Sequence, residues 1–242
     1  MVSKNQIKVI TGLQQKKLRH SQGLFTAEGA KVISELLHSR FALEQLYQSE
    51  PVFTDIPAVP VTAAELKKMS SLTASNNCLA VFRMATDDVP AEGVFTIVLD
   101  DVRDPGNLGT IIRLCDWFGV KQVVCSKESA DVYNPKAIQA TMGSMARVSV
   151  FYEDLEQFLH QKNNVYGTFM DGGNIYTSAL PADAIVVFGN EANGISDKIA
   201  KQVQRKISIP RFGELQKAES LNVAMATAVV LSEFRRINPS GS

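Results

Sequence analysis

The stretch "VVFGNEANGIS", residues 186 to 196, joins a short apolar run to a loop and then to a polar segment that is expected to form a helix. Consecutive apolar residues are typical of a strand buried on both faces of a sheet. The loop contains Gly189 and Gly194, which permit left-handed backbone and close approach of other groups. In open α/β sheets, ligands bind on loops at the carboxyl ends of strands. The stretch therefore predicts an α/β fold with a binding loop.

The same alternation extends over the second half of the chain. Further apolar runs are "VFTIVLDDV", "GVKQVVCS", "ARVSVF", "VYGTFMD" and "RKISIP". Amphipathic segments lie between them, near residues 109–118, 135–143, 153–162 and 195–204. Doubly apolar strands separated by helices indicate a mostly parallel sheet that is covered on both sides.

A domain boundary is expected at "TDDVPAEG", residues 86–93, where acidic residues, proline and glycine interrupt the apolar pattern. We predict a small α/β domain over residues 1–90 and a larger α/β domain over residues 91–242. In the small domain a helix is expected around residues 27–38. Strands or strand edges are expected at "LEQLYQS", "VPVTAA" and "CLAVFRM".

The composition is that of an ordinary globular protein, with 45% hydrophobic and 21% charged residues among 242. The formal net charge is zero, so overall charge does not indicate a nucleic-acid partner. Basic residues nevertheless outnumber acidic ones between residues 4 and 40, which is compatible with an RNA or DNA partner and equally with a solvated face. The basic residues are Lys4, Lys8, Lys16, Lys17, Arg19, Lys31 and Arg40.

Cys78, Cys115 and Cys125 are far apart in sequence and lack C-x-x-C spacing, which argues against a disulfide framework or a zinc site. No apolar run approaches the roughly 20 residues that span a bilayer. We therefore expect a reduced, cytoplasmic protein with no metal site and no membrane partner.

The first candidate binding loop, "DDVRDPGNLGTIIRLCDWFGV", contains a turn signal at residues 104–107 and predicts a helix opening at Gly109. Arg113 is expected opposite the apolar face of this helix, within about its first turn, where it can reach a ligand on the loop. An exposed arginine on a surface helix is the alternative. The apolar face would consist of Ile111, Leu114, Cys115 and Phe118.

The other two candidate loops carry polar side chains. Glu191 lies on the glycine-flanked loop and suits a ribose hydroxyl or a cationic ligand, although a solvated turn with Ser196 capping the next helix explains the pattern as well. Ser220 and Asn222 begin an alanine-rich helix, where Ser220 could simply be the N-cap. Phosphate-binding glycine motifs and the usual catalytic motifs are absent. The residues alone therefore predict a ligand site built from three loops.

Taken in order, "NLGTIIR", "FGNEANGIS" and "IPRFGELQKAESLNVA" resemble the three motifs of the SpoU (TrmH) family of RNA 2′-O-ribose methyltransferases, in the SPOUT superfamily. The resemblance covers nearly all of residues 94–237. The segment "KKLRHSQGLFTAEGAKVISELL" more loosely resembles the small RNA-binding domain that precedes the catalytic domain in many members.

The resemblance implies a trefoil knot near the C-terminus, which is exceptional among folds. It also implies S-adenosylmethionine as cofactor, a homodimer, and methylation of a ribose 2′-hydroxyl in ribosomal RNA or tRNA. The alternatives are a non-catalytic RNA-binding or ribosome-assembly factor and, more weakly, a nucleotide-binding oxidoreductase, whose glycine fingerprint the chain lacks.

The resemblance further implies the site residues. Arg113 corresponds to the arginine that accepts the ribose proton or orients the hydroxyl, and Asn107 would position Arg113 or the ribose. The residues expected to act in catalysis are Asn107, Arg113, Ser220 and Asn222. The residues expected to bind the cofactor, mostly through backbone atoms, are Gly189, Asn190, Glu191, Gly194, Ile209, Ser220 and Leu221.

The third motif departs from the family pattern, because "ELQKAE" separates Gly213 from Ser220. This departure implies a longer loop on the cofactor side. Arg211 and Lys217 on that loop could add contacts to RNA phosphates.

Overall fold

The computed structural model describes residues 2–74, 76–85, 89–213 and 220–239. In chain order up to residue 85, the helices and strands are α1 (Lys4–Gly12), α2 (Lys16–Gln22), β1 (Leu24–Glu28), α3 (Ala30–Leu37), β2 (Leu43–Gln48), β3 (Val59–Pro60), α4 (Ala63–Met69) and β4 (Cys78–Arg83). From residue 89 they are β5 (Thr96–Leu99), α5 (Pro105–Trp117), β6 (Gln122–Ser126), α6 (Pro135–Thr141), β7 (Ser149–Glu153), α7 (Leu155–Leu159), β8 (Val165–Asn174), β9 (Ile185–Phe188), α8 (Asp197–Ala200), β10 (Arg205–Ser208) and α9 (Val223–Ile237).

The described residues form two compact units. The first contains those of Met1–Asp87 together with Asp131–Ala146, and the second those of Asp88–Ala130 together with Arg147–Ser242. The first unit therefore takes in α6, which the chain places between β6 and β7 of the second unit. From the sequence pattern this segment is expected in the larger domain, residues 91–242.

The first unit is built on a four-stranded sheet with the order β1-β4-β2-β3. Strand β4 is antiparallel to β1 and β2, and β3 runs parallel to β2. Phe25 packs against Phe41, Phe82 and Tyr133, with ring centroids 4.9–5.7 Å apart. Tyr133 belongs to residues 131–146, so this segment completes the aromatic core of the unit.

Arg19 is one of the basic residues of the N-terminal segment, but it is 1% exposed. Its guanidinium lies 2.6 Å from the Asp131 carboxylate and donates to the backbone carbonyls of Leu13 and Gln14. These bonds compensate the burial of the charge. Arg19 is thus an internal anchor of the first unit.

Two predicted boundaries in the first unit were wrong. The helix expected around residues 27–38 begins at Ala30, because Ala27 and Glu28 pair with β4 and Gly29 breaks the chain direction with a φ of +88°. The "VPVTAA" strand is limited to Val59–Pro60, because Thr62 caps α4 through the backbone N–H of Glu65.

The second unit is built on a six-stranded sheet with the order β10-β8-β9-β5-β6-β7. All neighbouring strands in it are parallel. Each of the six apolar runs contains one of these strands, which confirms the predicted parallel α/β sheet. Every residue of β5, β6 and β9 is buried, as expected for strands covered on both faces.

Within the described ranges, no helix is both long and apolar enough to cross a bilayer. The link from β10 to α9 includes residues 214–219, which lie outside the described ranges, so the trefoil knot stays a prediction.

Candidate functional site

Three loops leave the carboxyl edge of the six-stranded sheet. β5 and β9 are neighbours, and their last residues, Leu99 and Phe188, pair in register. The loops that follow these two strands therefore leave the sheet side by side. The third loop follows β10, which β8 separates from β9. The site predicted from three loops thus lies at one edge of one sheet.

The first loop leads directly into α5. The Asp104 carboxylate accepts a hydrogen bond from the backbone N–H of Asn107, and Pro105 is the first helical residue. The aspartate and proline that indicated a turn are therefore an N-cap and an N1 residue. The helix begins at Pro105 rather than at Gly109, so Arg113 lies in its third turn and not, as predicted, in its first.

Arg113 is exposed on the side of α5 opposite its buried face, as predicted. Among the described residues, its guanidinium has no hydrogen-bond or ion-pair partner. It lies six residues beyond Asn107, which corresponds to about 9 Å along a helix axis. The guanidinium is therefore available to an external anionic or polar group.

The second loop is closed on itself. Asn190 and Gly194 form an antiparallel bridge, with backbone N···O distances of 3.0 and 2.8 Å. A Cβ on Gly189 would lie 2.1 Å from the carbonyl carbon of Gly194, so only glycine fits there. Gly194 has a φ of +69°, in the left-handed region that favours glycine. Both glycines are thus required to form the loop.

Three polar side chains from the three loops meet at Asn107. Its Nδ2 donates to Glu191 Oε1 at 2.7 Å, and its Oδ1 accepts from Asn222 Nδ2 at 3.0 Å. Both ends of the Asn107 amide are therefore used, and neither bond goes to Arg113. All three residues belong to the predicted site, but the direct bonds from Asn107 to Glu191 and Asn222 have no signal in the sequence.

The third loop contains residues of mixed character. Ile209 is half-buried, whereas Ser220 and Leu221 are exposed. Asn222, not Ser220, is the N-cap of α9, because its Oδ1 accepts from the backbone N–H groups of Ala224 and Met225. Lys217 lies outside the described residues, so its contact with RNA phosphates stays a prediction.

Two aspartates that follow β5 hold the second loop through hydrogen bonds, and neither is among the predicted site residues. Asp100 is 6% exposed, and its Oδ2 accepts from the backbone N–H of Ser196 at 2.7 Å. Ser196 occupies the N-cap position of α8, but its side chain makes no capping bond. The carbonyl of Asp101 accepts from Asn190 Nδ2, also at 2.7 Å. In the sequence, their position directly after the apolar run of β5 is the pattern that could have indicated them.

The cysteines are unsuited to nucleophilic chemistry. Cys78, Cys115 and Cys125 are all buried and free. Burial raises the pKa of each thiol above its ordinary value, which keeps all three protonated near neutrality. Among the residues whose positions are described, no cluster of histidine, cysteine or acidic side chains could hold a metal ion.

Two models of known families match the chain. Residues 94–232 match the SpoU rRNA Methylase family, and residues 4–80 match an MRM3-like substrate binding domain. The 23S rRNA (guanosine(2553)-2′-O)-methyltransferase of Bacillus subtilis is 27% identical over 246 residues, covering 96% of this chain and 97% of its own.

Solved structures resemble the chain over its full length. A TrmH-family protein from Porphyromonas gingivalis is 36% identical, with a TM-score of 0.88 over 98% of this chain and 99% of that one. An AdoMet-bound rRNA methyltransferase from Sinorhizobium meliloti is 28% identical, with a TM-score of 0.86 over 98% and 97% of the two chains.

Proposed function

Since the chain belongs to the SpoU rRNA methylase family, we propose that it transfers a methyl group from S-adenosylmethionine to a ribose 2′-hydroxyl of RNA. The observation that carries the proposal is the pair of bonds from Asn107 to Glu191 and Asn222. These bonds join all three motifs at the carboxyl edge of a parallel sheet, where ligands bind in such folds.

Ribosomal RNA is the proposed substrate. The Bacillus subtilis relative is named for methylation of 23S rRNA, and residues 4–80 resemble a substrate-binding domain. We assign RNA binding to residues 1–90 and methyl transfer to residues 91–242, apart from residues 131–146, which pack within the first unit. We also propose a cytoplasmic location, with which the free cysteines agree.

The residues at the sheet edge fit S-adenosylmethionine, which supplies an electrophilic methyl group when bound. Ile209 and Leu221 offer apolar surface, and the Glu191 carboxylate suits a hydroxyl donor or a sulfonium charge. The backbone of the glycine-framed loop and the Ser220 hydroxyl complete the proposed set of cofactor contacts. This mixture of apolar surface and few polar groups is usual for cofactor sites.

Arg113 has the proposed role of orienting the target ribose. A guanidinium is a poor base, but its fork of donors suits a hydroxyl and a neighbouring phosphate. Asn107 and Asn222 fix the cofactor-side groups in this arrangement. Correct placement of the hydroxyl in line with the methyl group lowers the barrier to transfer.

The proposed assembly is a homodimer formed through α5 and α9. These helices pack together and carry large exposed apolar side chains. Trp117 is 84% exposed at the end of α5, and Met225 is 61% exposed near the start of α9. Leu221, beside the proposed cofactor site, is 53% exposed. A second copy would cover this surface and bring apolar area to the site.

Transfer of a labelled methyl group from S-adenosylmethionine to unmodified ribosomal RNA, followed by nucleoside analysis, tests the proposal. A 2′-O-methylated nucleoside in ribosomal RNA is the expected product, with tRNA as the comparison substrate. Methylation of tRNA alone would overturn the substrate assignment. Cofactor binding without transfer to either RNA would favour the non-catalytic alternative.

A further inference from the structure

The backbone around Glu191 is held by hydrogen bonds to the preceding residue, Asn190. We propose that Asn190 is a positioning residue, which acts on cofactor binding through Glu191 rather than by touching the cofactor itself. The inference rests on the proposed function for its consequence, whereas its structural basis is the set of hydrogen bonds that Asn190 makes.

Every polar group of Asn190 is engaged within the protein. Its backbone N–H and carbonyl both bond Gly194. Its Oδ1 accepts from the backbone N–H groups of Ala192 and Asn193, at 2.8 and 3.2 Å. Its Nδ2 donates to the Asp101 carbonyl at 2.7 Å. The Nδ2 also lies 3.5 Å from Asp101 Oδ2, so all of these side-chain bonds go to the loop itself or to Asp101.

The bonds of Asn190 enclose Glu191. Glu191 follows Asn190 directly, and the two amides bonded to Asn190 Oδ1 belong to the two residues after it. The chain is therefore folded back around Glu191, whose Oε1 accepts from Asn107. Holding the backbone on both sides of Glu191 limits the positions that its carboxylate can reach.

The anchor of Asn190 is itself constrained. Asp101 has a φ of +60°, a left-handed conformation that costs energy for a residue with a Cβ. Its backbone N–H donates to Ser126 Oγ, and its carboxylate accepts from Arg103. These bonds keep the Asp101 carbonyl aimed at Asn190. At the far end of the loop, Asp100 holds the Ser196 N–H.

The variant Asn190→Asp changes the donor end of the side chain and leaves the acceptor end in place. It keeps an oxygen for the amides of Ala192 and Asn193, but it replaces the donor facing Asp101 with an anionic oxygen. Repulsion from the Asp101 carbonyl and carboxylate should release the loop. Asn193→Asp is the matched control, because it makes the same chemical change on the same loop at an exposed side chain.

Equilibrium titration with S-adenosylmethionine gives the functional test. Asn190→Asp should weaken binding about tenfold or more in the parent protein, and less than about threefold in a Glu191→Ala background, because coupled residues are not additive. Asn193→Asp should stay within about twofold of the parent. An equal loss from Asn190→Asp in both backgrounds would overturn the proposal, since it would make Asn190 a direct ligand or a purely structural residue.

Amide hydrogen exchange without cofactor provides a second measurement. Asn190→Asp, but neither Asn193→Asp nor Glu191→Ala, should raise the exchange rate of residues 191–193 about tenfold or more, with global unfolding unchanged. Unchanged protection in Asn190→Asp would refute the positioning role even if the parent protein binds no S-adenosylmethionine. Raised exchange with no cofactor binding by the parent would instead support the loop mechanism and refute the proposed function.

Discussion

Replacing Asn107 with aspartate changes only the side-chain NH2 group of the residue at which the three loops meet. The Nδ2 that donates to Glu191 Oε1 at 2.7 Å becomes an anionic oxygen, whereas the oxygen that accepts from Asn222 is kept. The substitution is nearly isosteric. It therefore removes the link to Glu191 and places two carboxylates side by side.

The expected loss follows from that geometry. A hydrogen bond to a charged group contributes about 1.5–3 kcal/mol, and because Glu191 is exposed, solvent screening favours the lower part of this range. About 2 kcal/mol corresponds to a loss of about 30-fold in kcat/KM. An aspartate near a helix N-terminus is favourable by up to about 1 kcal/mol, which offsets part of this loss, so Asn107→Asp should lower the melting temperature by no more than a few degrees.

Initial rates of labelled methyl transfer, with thermal unfolding of the same samples, measure this effect. Rates within about twofold of the parent would refute the reasoning. A loss of activity caused by unfolding of the variant at the assay temperature would also refute it.

The remaining predictions concern other parts of the molecule. Arg113→Ala should reduce methyl transfer by about 100-fold or more while cofactor affinity, measured by calorimetry, changes less than about twofold; retained turnover would exclude a role in transfer. Gly189→Ala should destabilise the fold by about 2 kcal/mol, or several degrees in Tm, because the added Cβ would lie 2.1 Å from Gly194, whereas Gly213→Ala meets no atom within 4 Å and should leave Tm unchanged. Lys16→Glu with Lys17→Glu should weaken RNA binding in a gel-shift assay and reduce its salt dependence, with cofactor affinity unchanged; equal affinity for RNA would remove this surface from the interface. Trp117→Arg should shift the mass measured by light scattering from dimer to monomer, and an unchanged dimer would place the contact elsewhere.

The parallel sheet could be predicted because buried strands leave a local signal. Runs such as residues 96–99 and 185–188 are apolar at every position or nearly so, and a parallel sheet covered on both faces explains this pattern. The order of the strands has no such local signal. The direct bonds from Asn107 to Glu191 and Asn222 depend on that order, so the sequence indicated the members of the site but not their arrangement.

Local ambiguity explains the boundaries that were wrong. Asp104 and Pro105 are favoured both in turns and at helix starts, and only the hydrogen bond to Asn107 distinguishes the two. In the same way Ser220 and Asn222 are both good N-caps, and the structure uses the second. Because α5 begins at Pro105 rather than at Gly109, Arg113 lies further along the helix than predicted, but it still lies on the exposed face.

The split composition of the first unit has a consequence for biosynthesis. Its aromatic core requires Tyr133, and the buried Arg19 requires Asp131, yet 45 residues separate the end of the described N-terminal part at residue 85 from Asp131. At about 5–20 residues per second, the ribosome needs several seconds to synthesise this stretch. During this interval the N-terminal part lacks both the carboxylate partner of Arg19 and the ring of Tyr133, so its core cannot be completed until residues 131–146 have been synthesised.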